Sequence, residues 1–545
     1  MKTKRGLTTA RAARRPRLWT ENGPTTWAWL TFVSLLSFLL HLPFFGFPMI
    51  NDEGGYAYVA DRWLTGRGDL YDDIWVSRPQ GIFVAYGLIF RLIGDSTEAI
   101  RLGAWLVSIA TLGFVWLFAR DWAGRRAAML ATLVFAIVSG SPAIEGFTAN
   151  SEVFMALPAA AGSWLLLRAG RNGWGAKELV GVGVLACLAA QLKPAGVVMI
   201  PVGLAYIWLV GGDGIGTIAR RGGWLVAGSA LAAAPALIHG AMIGWNDFIF
   251  ASLTYRLEFQ SSATVTAEHH MRALASLFYR TWPLLALVAG VLLLNWRQTR
   301  RWGKLADWRS RWLETTRAGI VARSAERPAR VLPTADGDVL LRLWFLGCLV
   351  GVAMGGDWWY HYLIQAIAPF AIWFAPLLLG VARRLAGYRR PALLAAALLI
   401  LLSPYTAIRM GHDGMAREMF DHTGYPVQEQ VAAYIREHTS SDNPIFVAFD
   451  QAALYYLTDR PGTYRYMYDQ ELRAIPSAEE ELVRMLTSGN RPLYVIGTKQ
   501  RAPFPDRGQA FWNTVAEHYY LETMVRGVPI FRAKILRPMP LTPDV

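Results

Sequence analysis

Long apolar runs recur along most of this chain, separated by short polar stretches. We predict about eleven membrane-spanning helices, because each run is roughly long enough to cross a ~30 Å hydrocarbon core. The predicted spans are residues 27–47, 99–119, 127–142, 153–168, 179–192, 195–211, 223–243, 280–296, 339–355, 363–381 and 391–406. The pair 179–192 and 195–211 is the weakest prediction, because both runs are short and meet at Lys193-Pro194.

The stretches between these runs alternate in charge. Arg and Lys predominate in residues 120–126, 168–177, 211–223, 297–338 and 382–390. Acidic residues gather in 48–98, 143–152, 244–279 and 355–361. Because basic loops remain in the cytoplasm, we predict a cytoplasmic basic tail at residues 1–26 and an outer position for the acidic loops. The net charge of +14 therefore reflects topology and does not indicate a nucleic-acid partner.

The pattern changes after about residue 410. Residues 427–435 carry apolar side chains at helical spacing, and "PIFVAFD" and "PLYVIGT" are typical of buried strands. We predict a transmembrane catalytic domain over 27–408, with a large outer loop at 48–98, and a small soluble extracytoplasmic α/β domain over 409–545. The only two cysteines lie inside apolar runs, so neither a disulfide framework nor a metal cluster is expected.

Polar residues able to do chemistry gather on the predicted outer side. The first outer loop carries Asp52, Glu53, Tyr56 and Arg78, the last just before a re-entrant-looking run at 82–94. The other outer segments add Glu145, Glu152, Lys193, His361, Tyr362 and Gln365. Basic side chains could hold the phosphate of a lipid headgroup, and a carboxylate could take a proton from an attacking hydroxyl. The mixture suits a lipid-borne phosphate that meets a polar acceptor at the membrane surface.

Each of these residues also has a structural alternative. Asp52 could cap a helix, Arg78 could anchor the chain at the interface, and Glu145 and Glu152 could be solvated loop acids. His361 is more often a satisfied interfacial histidine than a ligand. Lys193 is harder to assign to structure alone, since ionisable residues between apolar runs usually have a function.

Four short motifs, in this order and on one predicted side, resemble the GT-C membrane glycosyltransferases. The nearest group is that of the protein O-mannosyltransferases and the aminoarabinose (lipid A) transferases. The motifs are Asn51-Asp52-Glu53-Gly54-Gly55-Tyr56-Ala57, Arg78-Pro79-Gln80-Gly81, Lys193-Pro194 and His361-Tyr362-Leu363-Ile364-Gln365. The resemblance covers about residues 20–405 and departs from the family where Gly55 replaces a basic residue and Arg78 a lysine.

The resemblance implies an all-α polytopic GT-C-like fold in the cell inner (plasma) membrane. It implies transfer of a sugar, with inversion at the anomeric carbon, from a polyprenyl-phosphate-linked donor to a hydroxyl of an envelope lipid, glycan or protein. Asp52 would be the catalytic base, and Arg78 and Lys193 would bind the donor phosphate. Substrate contacts are expected from Glu53, Tyr56, Glu145, Glu152, His361, Tyr362 and Gln365. No cofactor is required, although a divalent cation could bind with Asp52.

Two other classes of function remain open from the sequence. One is a transporter or flippase of a lipid-linked glycan, and the other is a non-catalytic partner in envelope assembly. Transporters often show two similar halves and polar groups near the bilayer midplane. Here no matching halves are evident and the charges lie at the outer ends of the spans, which favours the enzyme.

Overall fold

The computed structural model describes a largely helical chain. The described residues are 24–212, 214–255, 258, 267–302, 334–356, 358–384, 411–420, 425–449, 451–472, 475–499, 504 and 508–534. The predicted span 391–406 and nearly all of the predicted tail 1–26 lie outside them.

The first part of the chain consists of helices that pack side by side. In chain order they are α1 (Pro24–His41), α2 (Asn51–Leu64), α3 (Gly81–Leu92), α4 (Thr97–Ala123), α5 (Arg125–Ser139), α6 (Ser151–Arg171), α7 (Ala176–Leu192), α8 (Met199–Val210), α9 (Ile215–Ile243), α10 (Trp245–Ile249), α11 (Ala267–Trp302), α12 (Ala335–Met354) and α13 (Ile364–Arg384). Short 3-10 helices precede α8 at Pro194–Val198 and α13 at Tyr360–Leu363. Helix α7 packs between α6 and α9, and α4 packs against α5 and α6.

Seven described helices are long and apolar enough to span a membrane. They are Thr25–Phe44, Thr97–Ala123, Ser151–Arg171, Ile215–Ile243, His270–Leu293, Ala335–Met354 and Tyr360–Val381. The weakest predicted pair is present as α7 and as the helical run Pro194–Val210. Large apolar side chains such as Leu231, Met242 and Trp282 are exposed on α9 and α11, as expected for a surface that faces lipid.

The C-terminal segment, residues 425–534 as far as they are described, contains one four-stranded sheet. The strands are β1 (Ile445–Val447), β2 (Tyr494–Ile496), β3 (Tyr519–Val525) and β4 (Val528–Ala533), in the order β1-β2-β4-β3. Strands β1 and β2 are parallel, and the other pairs are antiparallel. The associated helices are α14 (Gly411–Phe420), α15 (Tyr425–His438), α16 (Ala453–Thr458), α17 (Asp469–Leu472), α18 (Ala478–Thr487) and α19 (Gln509–His518).

The predicted strands β1 and β2 and the predicted helix α15 are observed. The hairpin β3–β4 was not predicted, because β3 is a mostly exposed edge strand without a clear hydrophobic alternation. Its turn, Arg526-Gly527, has positive φ at both residues, as a two-residue hairpin turn requires.

Two glycines allow the C-terminal segment to pack directly on α2. A Cβ on Gly54 would lie 2.2 Å from the Cα of Ala453, and one on Gly55 would lie 1.7 Å from the Tyr468 hydroxyl oxygen. Any other residue at these positions would overlap α16 or the Tyr468 side chain. The bare backbone beside Asp52 is therefore occupied by this chain's own C-terminal segment.

Candidate functional site

Asp52 lies in the first turn of α2 and is half-buried. Among the described residues, no side chain or backbone group forms a hydrogen bond or an ion pair with its carboxylate. The start of the helix is secured instead by Glu53, whose Oε2 accepts a hydrogen bond from the Ile50 N–H at 3.2 Å. The structure therefore does not use Asp52 as the helix cap.

Glu53 has a full set of protein partners. Its carboxylate pairs with Arg101 of α4, with Oε2 2.7 Å from Nη2 and Oε1 3.0 Å from Nε. Oε1 also accepts the Ala149 N–H at 2.9 Å, and both charged side chains are fully buried. A substrate contact by Glu53, as predicted, would have to displace these partners.

Arg101 extends this pair into the chain that leads from α1 to α2. Its guanidinium donates to the carbonyl oxygens of Phe44 at 2.7 Å and Pro48 at 3.0 Å, and also to that of Phe47. The ion pair thus fixes the position of the first turn of α2 relative to α4. Sequence reasoning missed Arg101, although a charged residue at the start of a predicted span was a signal.

Arg78 lies beside Tyr56, which follows Asp52 by one helical turn. Its Nε donates to the Tyr56 hydroxyl at 3.1 Å, and its Nη1 donates to the Ser77 carbonyl at 3.0 Å. Burial opposes the charge on Arg78, but the neighbouring Tyr56 and Asp52 outweigh it and raise its pKa well above the usual value. Within the described residues no carboxylate lies within ion-pair distance of this guanidinium, so its charge is held without a direct counter-ion.

Tyr56 is placed to donate a hydrogen bond of its own. The hydroxyl already accepts from Arg78, and burial raises its pKa above the usual value, so the proton stays on the oxygen. Tyr56 and Asp52 lie on the same face of α2, since the two residues are four apart.

Lys193 lies in an extended conformation between α7 and the following 3-10 helix. Its Nζ pairs with Oε1 of Glu152 and lies 3.9 Å from the centroid of the Tyr362 ring. Unlike Arg78, this cation is therefore already neutralised by a buried carboxylate.

Glu145, Glu152 and His361 are brought together by three separate segments. His361 Nδ1 lies 3.0 Å from Oε2 of Glu145, and Nε2 lies 3.8 Å from Oε1 of Glu152. Glu145 has φ 55°, a left-handed conformation that is uncommon outside glycine and recurs at functional sites. Together with Lys193, these residues form what we call the buried charge cluster.

Gln365 contacts Tyr362, whose ring lies against Lys193 of this cluster. Its side-chain Nε2 donates to the Tyr362 carbonyl at 2.9 Å, and its backbone carbonyl accepts a hydrogen bond from the Cys348 thiol at 3.1 Å. The side chain is buried, so the described contacts of Gln365 orient Tyr362 under Lys193.

Asp52 and Arg78 are electrostatically coupled to the buried charge cluster. Asp52 lies close enough for its charge to act on both Arg78 and Lys193. The candidate site thus comprises Asp52, Arg78 and Tyr56, in which neither charge has an ion-pair partner among the described residues, and the adjoining buried charge cluster. Over the residues that the structure describes, no three His, Cys, Asp or Glu side chains are arranged to hold a metal ion, and the predicted divalent cation stays a prediction.

Comparisons with known proteins agree with this architecture. Residues 77–239 match the model of a family described as dolichyl-phosphate-mannose-protein mannosyltransferase. No curated protein matches the chain significantly.

Solved structures extend the similarity to nearly the whole chain. ArnT from Cupriavidus metallidurans bound to undecaprenyl phosphate aligns with a TM-score of 0.56 at 15% identity, over 93% of this chain and 98% of that chain. The apo state of the same protein gives a TM-score of 0.53 at 14% identity over the same shares. The apo oligosaccharyltransferase of Archaeoglobus fulgidus gives 0.50 at 14% identity, over 88% of this chain and 70% of that chain. The chain therefore shares its fold with ArnT, and the family matched over residues 77–239 agrees with the resemblance seen in the sequence.

Proposed function

We propose that this protein transfers a sugar from a polyprenyl-phosphate-linked donor to a hydroxyl of a cell-envelope acceptor. The observation that carries the proposal is the pair of Asp52 and Arg78. Both are charged groups at least partly removed from water, yet neither has a direct counter-ion in the described chain, whereas Glu53 and Lys193 beside them are paired. Buried charges are ordinarily paired, so a carboxylate and a guanidinium left this way are suited to a charged ligand.

Asp52 is the general base in the proposed reaction. It takes the proton of the acceptor hydroxyl, whose oxygen forms a bond to the anomeric carbon of the sugar. The bond between that carbon and the phosphate oxygen breaks, its electron pair leaves with the polyprenyl phosphate, and the proton passes from Asp52 to water. A single displacement of this kind inverts the anomeric configuration.

Arg78 stabilises the phosphate in this proposal. Its planar guanidinium can present two donors to a phosphate, and the charge that develops on the leaving group strengthens the interaction in the transition state. The Tyr56 proton can donate to the same group or to the sugar.

The buried charge cluster has a supporting role. Lys193, held in place by Glu152, donates one of its remaining N–H groups to the phosphate, while His361 and Glu145 fix the position of Glu152. Tyr362 and Gln365 hold the cluster in place. Direct contacts of the cluster residues, Tyr362 and Gln365 with the substrate are also part of the proposal.

The comparisons support a lipid-linked donor. The aligned ArnT structure contains undecaprenyl phosphate, and the description of the matching family names a dolichyl-phosphate-linked mannose. Because the identities are low, neither selects the sugar or the acceptor for this chain. The alternation of basic and acidic loops supports a cytoplasmic N-terminus and a site on the outer side of the inner membrane.

The proposal is tested with membranes that contain the protein and a panel of polyprenyl-phosphate sugars. Formation of a glycosylated acceptor together with free polyprenyl phosphate is the expected result. Movement of an intact lipid-linked glycan across the bilayer without glycosyl transfer would support a flippase instead. If neither glycosyl transfer nor movement of the lipid-linked glycan is observed with any donor, the proposed enzymatic function is refuted and a role as an assembly partner is left.

A further inference from the structure

The C-terminal segment reaches the loop that carries Arg78. The Trp75 N–H donates to the Arg465 carbonyl at 3.0 Å, and the Trp75 and Tyr466 rings meet edge to face with centroids 5.2 Å apart. Two residues further along, the Ser77 N–H donates to Oε1 of Glu471 at 2.9 Å. The C-terminal segment thus binds the backbone on which Arg78 is mounted.

Tyr468 lies between these contacts and presses on α2. Its hydroxyl oxygen rests against Gly55, three residues after Asp52, in the space that a Cβ would fill. This oxygen is buried, and no described residue forms a hydrogen bond with it. The charges of Asp52 and Arg78 both act on Tyr468, so its hydroxyl lies near these two residues.

Glu471 ends in the same region with one oxygen unused. The side chain is only 5% exposed, and Oε2 is buried without a hydrogen-bond partner among the described residues, while Oε1 accepts from the Ser77 N–H. Burial raises the pKa of Glu471 to about 8, and Asp52 and Arg78 both act on the carboxyl. At neutral pH the carboxyl is therefore mostly protonated and able to donate a hydrogen bond.

Two buried polar atoms in the same segment without a hydrogen-bond partner among the described residues are unusual. Buried polar groups in folded proteins are nearly always hydrogen-bonded, because an unpaired one loses its water without compensation. Here both atoms belong to the C-terminal segment, and both lie next to the charges to which we assign the transfer reaction.

We propose that Tyr468 and Glu471 bind a substrate hydroxyl in the transfer site. This inference rests on the function proposed above. A hydroxyl can both accept and donate, so it satisfies a phenol and a protonated carboxyl together. The hydroxyl belongs to the donor sugar or to the acceptor, and in either case the C-terminal segment forms part of the site.

The test uses Tyr468→Phe and Glu471→Gln in the full-length membrane protein. Tyr468→Phe removes the hydroxyl, whereas Glu471→Gln exchanges the carboxyl O–H for an amide N–H that can still donate, and both keep the shape of the side chain. We expect kcat/KM for transfer to fall about tenfold in Tyr468→Phe, as for the loss of one hydrogen bond to substrate, and to fall by less in Glu471→Gln. The midpoint of thermal unfolding should stay unchanged or rise in Tyr468→Phe, because that variant removes a buried hydroxyl without a partner.

Tyr464→Phe is the matched control. Its hydroxyl lies in the same segment but donates to the Ala478 carbonyl at 2.6 Å, away from Asp52. This variant should lower the unfolding midpoint and leave kcat/KM unchanged, the opposite of the result for Tyr468→Phe.

The KM values then distinguish the two sources of the hydroxyl. A rise in the KM of the donor assigns the contact to the donor sugar, and a rise in the KM of the acceptor assigns it to the acceptor. Wild-type transfer with unchanged kcat/KM in both variants would overturn the inference and leave the proposed function intact. A fall in kcat/KM of Tyr468→Phe that accompanies a lower unfolding midpoint would also overturn the inference. The absence of transfer by the wild type would overturn both proposals.

Discussion

Arg101 and Glu53 form a fully buried ion pair, with Nη2 2.7 Å from Oε2, directly beside the unpaired carboxylate of Asp52. The two acids are adjacent in sequence, but they point in different directions because neighbours on a helix are about 100° apart. One acid therefore holds the outer loop in place, and the other is left for chemistry.

Breaking this pair should destabilise the whole protein. Glu53→Gln leaves the Arg101 charge buried without a full counter-charge, and we expect a loss of about 3–5 kcal/mol in the free energy of unfolding. Asp61→Asn is the control, because Asp61 pairs with Arg67 in a partly exposed position on the same helix. It should change stability by less than about 1 kcal/mol. Equal stability of the two variants in denaturant titrations would contradict the structural role of Glu53.

Gly54→Ala should weaken the contact between α2 and the C-terminal segment. In an isolated helix this change would stabilise by about 1 kcal/mol, but here the new Cβ would overlap the backbone of Ala453. We expect a lower unfolding midpoint and faster proteolysis of the C-terminal segment. Gly46→Ala tests the assay, because a Cβ at Gly46 has nothing within 4 Å and should leave both readouts unchanged. A stabilised Gly54→Ala variant would show that the two parts do not pack in this way.

Arg78→Lys should impair donor use although it keeps the charge. A lysine cannot donate both to Tyr56 and to Ser77 and still present two parallel donors to a phosphate. We expect the KM for the donor to rise by about tenfold, measured at saturating acceptor. Arg67→Lys, in the same outer loop but in an exposed pair, should leave that KM unchanged. An unchanged KM in Arg78→Lys would remove the proposed phosphate contact.

Glu471 should make the stability of the protein depend on pH. Because its pKa is about 8 in the folded protein, raised by burial from 4.5, the folded state holds a proton that the unfolded state has lost. The contribution to stability is therefore greatest below pH 4.5, falls as the pH rises to about 8, and is constant above that. Besides burial, the groups that act on this carboxyl are the Ser77 N–H, Arg78, the Tyr468 N–H and Asp52.

The Glu471→Gln variant isolates this contribution. The unfolding midpoint of the wild type minus that of the variant should decrease as the pH rises from 4.5 to 8, since glutamine does not titrate. A difference that stays constant across this range would show that Glu471 is ionised in the folded protein.

Much of the fold was predictable because the signals are local. Hydropathy identifies helices that face lipid, and the Asp52 carboxylate and the Arg78 guanidinium belong to short contiguous motifs of one loop. The partners that decide their roles are distant in sequence: Arg101 is 48 residues from Glu53, and Glu471 is 394 residues from Ser77. No local pattern reports such pairings, so the sequence alone could not separate Glu53 from Asp52 or bring Tyr468 into the site.

Asp52→Asn tests the central claim most directly, because it removes the charge and keeps the shape. Initial rates of transfer from the preferred polyprenyl-phosphate sugar are compared among wild type, Asp52→Asn and the same-helix control Asp61→Asn, with donor binding and the unfolding midpoint measured in parallel. The account predicts a loss of at least about a hundredfold in kcat for Asp52→Asn, with intact folding and donor binding and an unaffected control. Transfer at the wild-type rate by a folded Asp52→Asn protein would contradict it.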